Sequence, residues 1–173
     1  MSNFFNMVSV SAIMFADASA DGEIPTELKS INVLSEGKLT PDFNPGELTS
    51  EINEFNHLPH RNYRGNSSYK FTMELPKIPF EDYASFTGCD YDPVTFELSM
   101  GSSAVEPKPK YFKIYGGDPD GNPLVMQAFC CDVVSKWSGS VGSAQATVPV
   151  SIECSMRTDN GTPAKMMSLK PVV

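Results

Sequence analysis

The residues most able to do chemistry are the two histidines, His57 and His60, in the run His57-Leu58-Pro59-His60. An H-x-x-H pair supplies two of the four ligands that a structural zinc needs, and Pro59 argues against a helix that would align the rings. Either imidazole could act as a base, but nucleophilic catalysis also needs a nucleophile and an orienting acid, and no G-x-S-x-G elbow occurs. Asp118 and Asp120 before Gly121 look like the start of a calcium loop without its later oxygen ligands or distal Glu. A hairpin turn accounts for them. Gly116-Gly117 lacks the downstream G-K-[ST] of a phosphate loop. Glu81-Asp82 and Asp90 with Asp92 flank a helical segment, where carboxylates serve capping and solubility. Lys108, Lys110 and Lys113 with Tyr111 and Phe112 form the basic aromatic cluster, expected as an exposed strand whose lysines discourage edge pairing. The expectation is therefore no catalytic set, no metal and no cofactor. A ligand-binding sandwich stays open as an alternative, with Tyr63, Tyr115 and Trp137 as a stacking platform for carbohydrate.

Composition narrows the class further. At 173 residues the chain is long enough for one domain, 1–173, with a self-sufficient core, and 40% hydrophobic with 20% charged residues is ordinary globular composition. A net charge of −8 argues against gripping phosphate backbones, which takes clustered Lys and Arg. Residues 1–6 carry no Lys or Arg, and Ser9, Ser11 and Asp17 break the apolar stretch, so no signal peptide is expected. No apolar run approaches a membrane span, so synthesis in a cytoplasm is expected. Cys89, Cys130, Cys131 and Cys154 lack C-x-x-C spacing and read as buried thiols, with Cys130 and Cys154 able to face one core.

The elements come from periodicity. Residues 144–156 alternate apolar and polar side chains over thirteen positions, the pattern of a long half-buried strand. The same period of two marks 7–15, a short strand at Ile31 and Val33, 69–75, the set Val94, Phe96, Leu98 and Met100, and 111–115. The turn formers at 116–122 join 111–115 to 124–134 as a hairpin, and 165–169 is expected to return beside the long strand. A single helix fits between Pro76 and Gly88, with Pro79 in its first turn and Gly88 as its stop. The fold class is therefore mainly β, a sandwich or barrel of seven or eight strands carrying one short helix.

Residues 36–66 are the exception. Pro41, Pro45, Pro59, Gly37, Gly46 and Gly65 punctuate them, yet Leu39, Phe43, Leu48, Ile52, Phe55, Leu58 and Tyr63 spread apolar groups throughout. A connection of this length with no elements of its own is unusual in a compact domain. An extended loop packed on a neighbouring subunit, or folded onto its own core, reconciles the length with the apolar content.

This order, together with the local texture of 78–88 (IPFEDYASFTG) and 148–154 (VPVSIEC), resembles over most of the chain the major tail tube proteins of tailed bacteriophages, which are related in fold to the type VI secretion tube protein. The resemblance implies a virion structural subunit that forms hexameric rings stacked into a tube. Its partners would be further copies of itself and other tail proteins such as an initiator, terminator or sheath, with DNA passing through the lumen without specific binding. It further implies that Leu39, Phe43, Leu48, Ile52, Phe55 and Leu58 are inter-subunit anchors and that Glu153 faces the lumen, where like charge would repel DNA. Another phage ring, neck or decoration protein is the nearest alternative.

Overall fold

Strand-forming alternation dominates the chain, and the architecture follows it. A computed structural model describes residues 9–19, 23–31, 38–52, 59–75, 78–99, 107–118, 120–137, 150–157 and 163–168. In chain order the elements are β1 (Ser9–Asp17), β2 (Lys29–Ile31), β3 (Lys38–Asn44), β4 (Leu48–Ile52), β5 (Pro59–Arg64), β6 (Ser68–Leu75), α1 (Phe80–Thr87), β7 (Asp90–Asp92), β8 (Glu97–Ser99), β9 (Lys110–Gly117), β10 (Pro123–Trp137), β11 (Val150–Met156) and β12 (Ala164–Ser168). Eight strands form one sheet in the order β2-β1-β9-β10-β11-β6-β3, with β12 also on β10. Every pairing in it is antiparallel. The mainly β class, with one helix among the described residues, is as the alternation predicts.

The sheet is rolled. Phe71 on β6 and Phe112 on β9 lie three strand spacings apart, about 14 Å across a flat sheet, yet their ring centroids are 5.3 Å apart, edge to face. Phe112 also meets Phe15 of β1 at 6.3 Å and Phe86 of α1 at 6.2 Å. Around these rings one face of the sheet buries Ile13, Met73, Ile114, Met126, Ile152 and Cys154. The helix closes this concave side with Phe86. Its Pro79 is extended (φ −60°, ψ 146°), suiting entry to a helix, and Gly88 ends it in the left-handed region (φ 72°) with its N–H on the carbonyl of Ala84.

Bulges keep the right side chains on this face. β10 gains one residue against β9 between Ala128 and Cys131, so the buried positions pass from Met126 and Ala128 to Cys131 and Val133. The inward thiols are consequently Cys131 and Cys154, not Cys130 and Cys154. Burial pushes both thiols up from their ordinary value. On the opposite face Tyr111, Val125 and Gln127 are also buried, and Gln127 Nε2 donates to Tyr111 Oη at 2.9 Å.

Four expectations need correction. First, β9 is not an edge strand but sits between β1 and β10. Lys110 on it is only 2% exposed, its ammonium donating to Asp17 Oδ1 and to Ser85 Oγ at 2.7 Å. Second, Val94 and Phe96 lie in a turn, because Asp92 Oδ1 accepts the N–H groups of Val94 and Thr95 and folds the chain there. Third, β12 does not return beside β11: both run antiparallel to β10, β11 on Cys131–Trp137 and β12 on Leu124–Ala128, so the chain resumes the same direction after an interruption. That interruption lies opposite the β10 bulge, where Phe129 N–H donates to Pro163 O and Arg157 N–H to Cys130 O. Fourth, 36–66 contains β3, β4 and β5 and is not an unstructured loop. Met100, Val33 and residues 144–149 of the expected strands lie outside the described residues.

Truncating Phe112 to Ala should lower unfolding free energy by about 3–5 kcal/mol, because it removes one ring from three contacts at once; a urea titration followed by far-UV circular dichroism measures this. The buried cation gives a second expectation. Asp17→Ala, which strips the ammonium of its carboxylate, should cost about 1–3 kcal/mol, more than Lys110→Met, which removes the charge and keeps the stem.

Candidate functional site

The structured part of 36–66 is one continuous ribbon with β6. Asn44 on β3 stands opposite Ser68 on β6; four residues further along one strand and four back along the other, Leu48 on β4 stands opposite Arg64 on β5. The register therefore carries through the short gap between the β3–β6 and β4–β5 pairs. What leaves the sheet edge is a β-arm whose base is a sheet strand. Leu39 and Phe43 on β3 are half-buried against the core, and exposed Pro41 between them, which has no N–H to donate, suits an edge strand.

A joint separates base from arm. Gly46 takes φ +87°, its N–H donates to Asn44 Oδ1 at 2.9 Å, and across the ribbon Gly65 N–H donates to Glu47 O at 2.9 Å. A Cβ on Gly46 would sit 2.3 Å from the carbonyl oxygen of Gly65. Both the conformation and the close approach require glycine. Beyond the joint β4 has five residues, about 17 Å at 3.3 Å per residue. Among the described residues neither arm strand has a second neighbour.

The expected anchors divide along this geometry. Leu39 and Phe43 are half-buried against the chain's own core, Phe43 with its ring 6.0 Å from that of Tyr69. Leu48 projects from the arm and is 67% exposed. Ile52 closes β4 opposite Pro59, across a register irregularity. Phe55 and Leu58, with His57, lie outside the described residues. His60 is on β5.

Glu153 lies on the polar face of β11, opposite Val134 of β10 and Thr72 of β6. Its carboxylate pairs with Lys70 at 3.3 Å, and nearby Arg157 holds Asp132 through three hydrogen bonds of 2.7–3.1 Å. This face of β10, β11 and β6 carries its acids largely as ion pairs. Glu153 is thus no isolated negative charge.

The remaining constellations are turns and packing. Asp118 accepts from Asp120 N–H, Asn122 N–H and Asn122 Nδ2, which hold its carboxyl below the usual carboxylate range, Asn122 contributing most. Tyr115 and Trp137 do not share a platform: Tyr115 pairs with Val125, and Trp137 is twelve residues further along β10, about 40 Å of strand. Among the described residues no group of three or more His, Cys, Asp or Glu could hold a metal ion, and no helix is long and apolar enough to cross a membrane.

Neither the joint nor the arm was anticipated as such. The available signal was symmetry: Asn44-Pro45-Gly46 and Gly65-Asn66 are turn formers placed at mirrored positions about the arm tip. Comparison with protein-family models and with curated proteins yields no match.

Replacing Gly46 with Ala should cost at least about 1–2 kcal/mol, since the side chain meets backbone in a left-handed conformation. Hydrogen exchange should locate the loss at the ribbon: amides of β4 and β5 exchange faster, while those of β9 and β10 keep their protection.

Proposed function

We propose that the chain is a structural subunit of a phage tail tube, assembling with further copies into stacked rings around a conduit for DNA. The observation that carries this reading is the β-arm. It leaves the edge of a rolled sheet through a glycine joint, has an outer edge on each of its two strands without a neighbour among the described residues, and presents Leu48 to solvent. An isolated two-stranded ribbon is marginal in water. Docking against a neighbouring copy would cover its edges and Leu48.

Two further features support the reading. The rolled sheet exposes a polar face of Ser, Thr and paired charges on β6 and β11, a surface with little attraction for a polyanion. A net charge of −8 leaves the whole subunit repelling DNA at range. In this assembly the protein resides in the virion, and its partners are neighbouring subunits and the components that begin, end or sheathe the tube.

The test is negative-stain electron microscopy of the protein over a range of concentration and salt, beside a variant whose residues 48–64 are replaced by a short Gly/Ser turn that leaves β3 and β6 intact. The parent is expected to form stacked rings or hollow tubes, and the variant to remain small with an unchanged melting temperature. Polymers that survive loss of the arm would sink its role. A closed oligomer of fixed size, indifferent to the arm, would favour a neck or decoration ring.

A further inference from the structure

On the side of β10 away from β9, β11 and β12 follow one another along the same strand: Arg157 N–H donates to Cys130 O, and at the next position Phe129 N–H donates to Pro163 O. β6 covers the outer side of β11 from Val150 to Ser155, but among the described residues β12 pairs only with β10. The other outer strands of the sheet are guarded, β2 by having three residues and β3 by exposed Pro41. β12 has five residues, no proline and an unbroken ladder. Because Phe129 N–H reaches Pro163, alternation along an antiparallel pair turns the backbone groups of Lys165 and Met167 toward β10 and those of Ala164, Met166 and Ser168 toward the open side. The edge therefore offers a row of backbone donors and acceptors for one more strand.

Register indicates which strand fits. Lys70 of β6 stands opposite Ser155 of β11, and the ribbon continues β6 backwards into β5. Were the ribbon straight, Gly65 would fall opposite Lys165, Arg64 opposite Met166 and Tyr63 opposite Met167, so no like charges would face each other. β5 has β4 on its β3 side, which leaves its free edge on the side where β12 runs. Yet β5 forms no ladder with the β12 of its own chain. The joint sets the arm apart and is fixed by hydrogen bonds of its own, Gly46 N–H on Asn44 Oδ1 and Gly65 N–H on Glu47 O. We propose that β12 receives β5 from the arm of a second copy of this chain, antiparallel and in that register, so that the arm of one copy completes the sheet of the next. This rests on the reading of the arm as an assembly element and names its receptor. Backbone pairing along the edge supplies the affinity. Donor and receptor are different edges of the chain, so a copy whose arm is docked still offers its β12 to another.

The test combines disulfide trapping with sedimentation velocity on the full chain. An equimolar mixture of Tyr63→Cys and Met167→Cys chains should give, under mild oxidation, a linked dimer that neither variant gives alone, because facing positions that exchange no hydrogen bonds bring their Cα atoms within reach of a disulfide. Met166→Pro removes one outward N–H and leaves the bonds to β10, so it should keep the parent's far-UV circular dichroism while weakening self-association about tenfold or more. Absence of a linked dimer from the mixture overturns the inference, as does a bond that closes within a monomer carrying both cysteines. Should Met166→Pro fail to fold, the trapping decides alone. If the parent forms tubes, Met166→Pro forms them undiminished and no dimer is trapped, the β12 receptor is wrong and the tube reading stands. If the parent stops at a closed dimer that is trapped between β5 and β12 and dissociated by Met166→Pro, the receptor stands and the tube reading fails. A parent that is monomeric at every concentration overturns both.

Discussion

The convergence of Phe15, Phe71 and Phe86 on Phe112 is the constraint on which the rest of the structure depends. A flat sheet of these strands would hold Phe71 and Phe112 far apart and leave one apolar face in water. Rolling it brings the rings together and reduces the surface that must be covered to an opening one short helix can fill. The continuous buried face depends on the β10 bulge, without which Cys131 and Val133 would turn outward. Lys110 belongs to the same closure: its buried ammonium ties Asp17 at the end of β1 to Ser85 on the helix.

Strands such as β1, β6 and β11 were legible because they bury one face, and a half-buried strand must alternate; β9 and the first half of β10 bury both faces. The helix was legible for similarly local reasons, since Pro79 and Gly88 mark its ends by backbone preference. Local pattern failed where tertiary pairing decides the outcome. Val94 and Phe96 alternate like strand residues, but Asp92 captures the backbone N–H groups that follow it and the alternation becomes a turn. Lys110 reads as an edge lysine until two distant acceptors supply its hydrogen bonds. The course of β12 was unreadable because a chain that turns back and one that pauses and continues use the same turn-forming residues.

The candidate site was half legible for a comparable reason. Apolar residues scattered through 36–66 indicated that the segment packs on something, and two of them, Leu39 and Phe43, pack on the chain's own core. Strand pairing within the segment was obscured by Pro41, Pro45 and Pro59, which are ordinarily read as breakers. Here Pro41 lies on an outer edge and Pro59 begins a strand, places that tolerate a missing donor. Glu153 sits on the polar face that alternation assigned to it, but its pairing with Lys70 comes from a strand 83 residues away in sequence and leaves no local trace.

The unbroken register between base and arm has a mechanical consequence. A pull along the ribbon does not peel it from the sheet one rung at a time. It acts at right angles to the β6–β11 hydrogen bonds, so the rungs from Val150–Leu75 to Ser155–Lys70 resist in shear and share the load. Rungs loaded in parallel must yield together, whereas a peeled strand yields singly at far lower force. The joint at Gly46 lies outside this anchorage. Bending can therefore concentrate at the two glycines while tension passes into the rolled sheet, which makes the arm a compliant lever on a stiff mount.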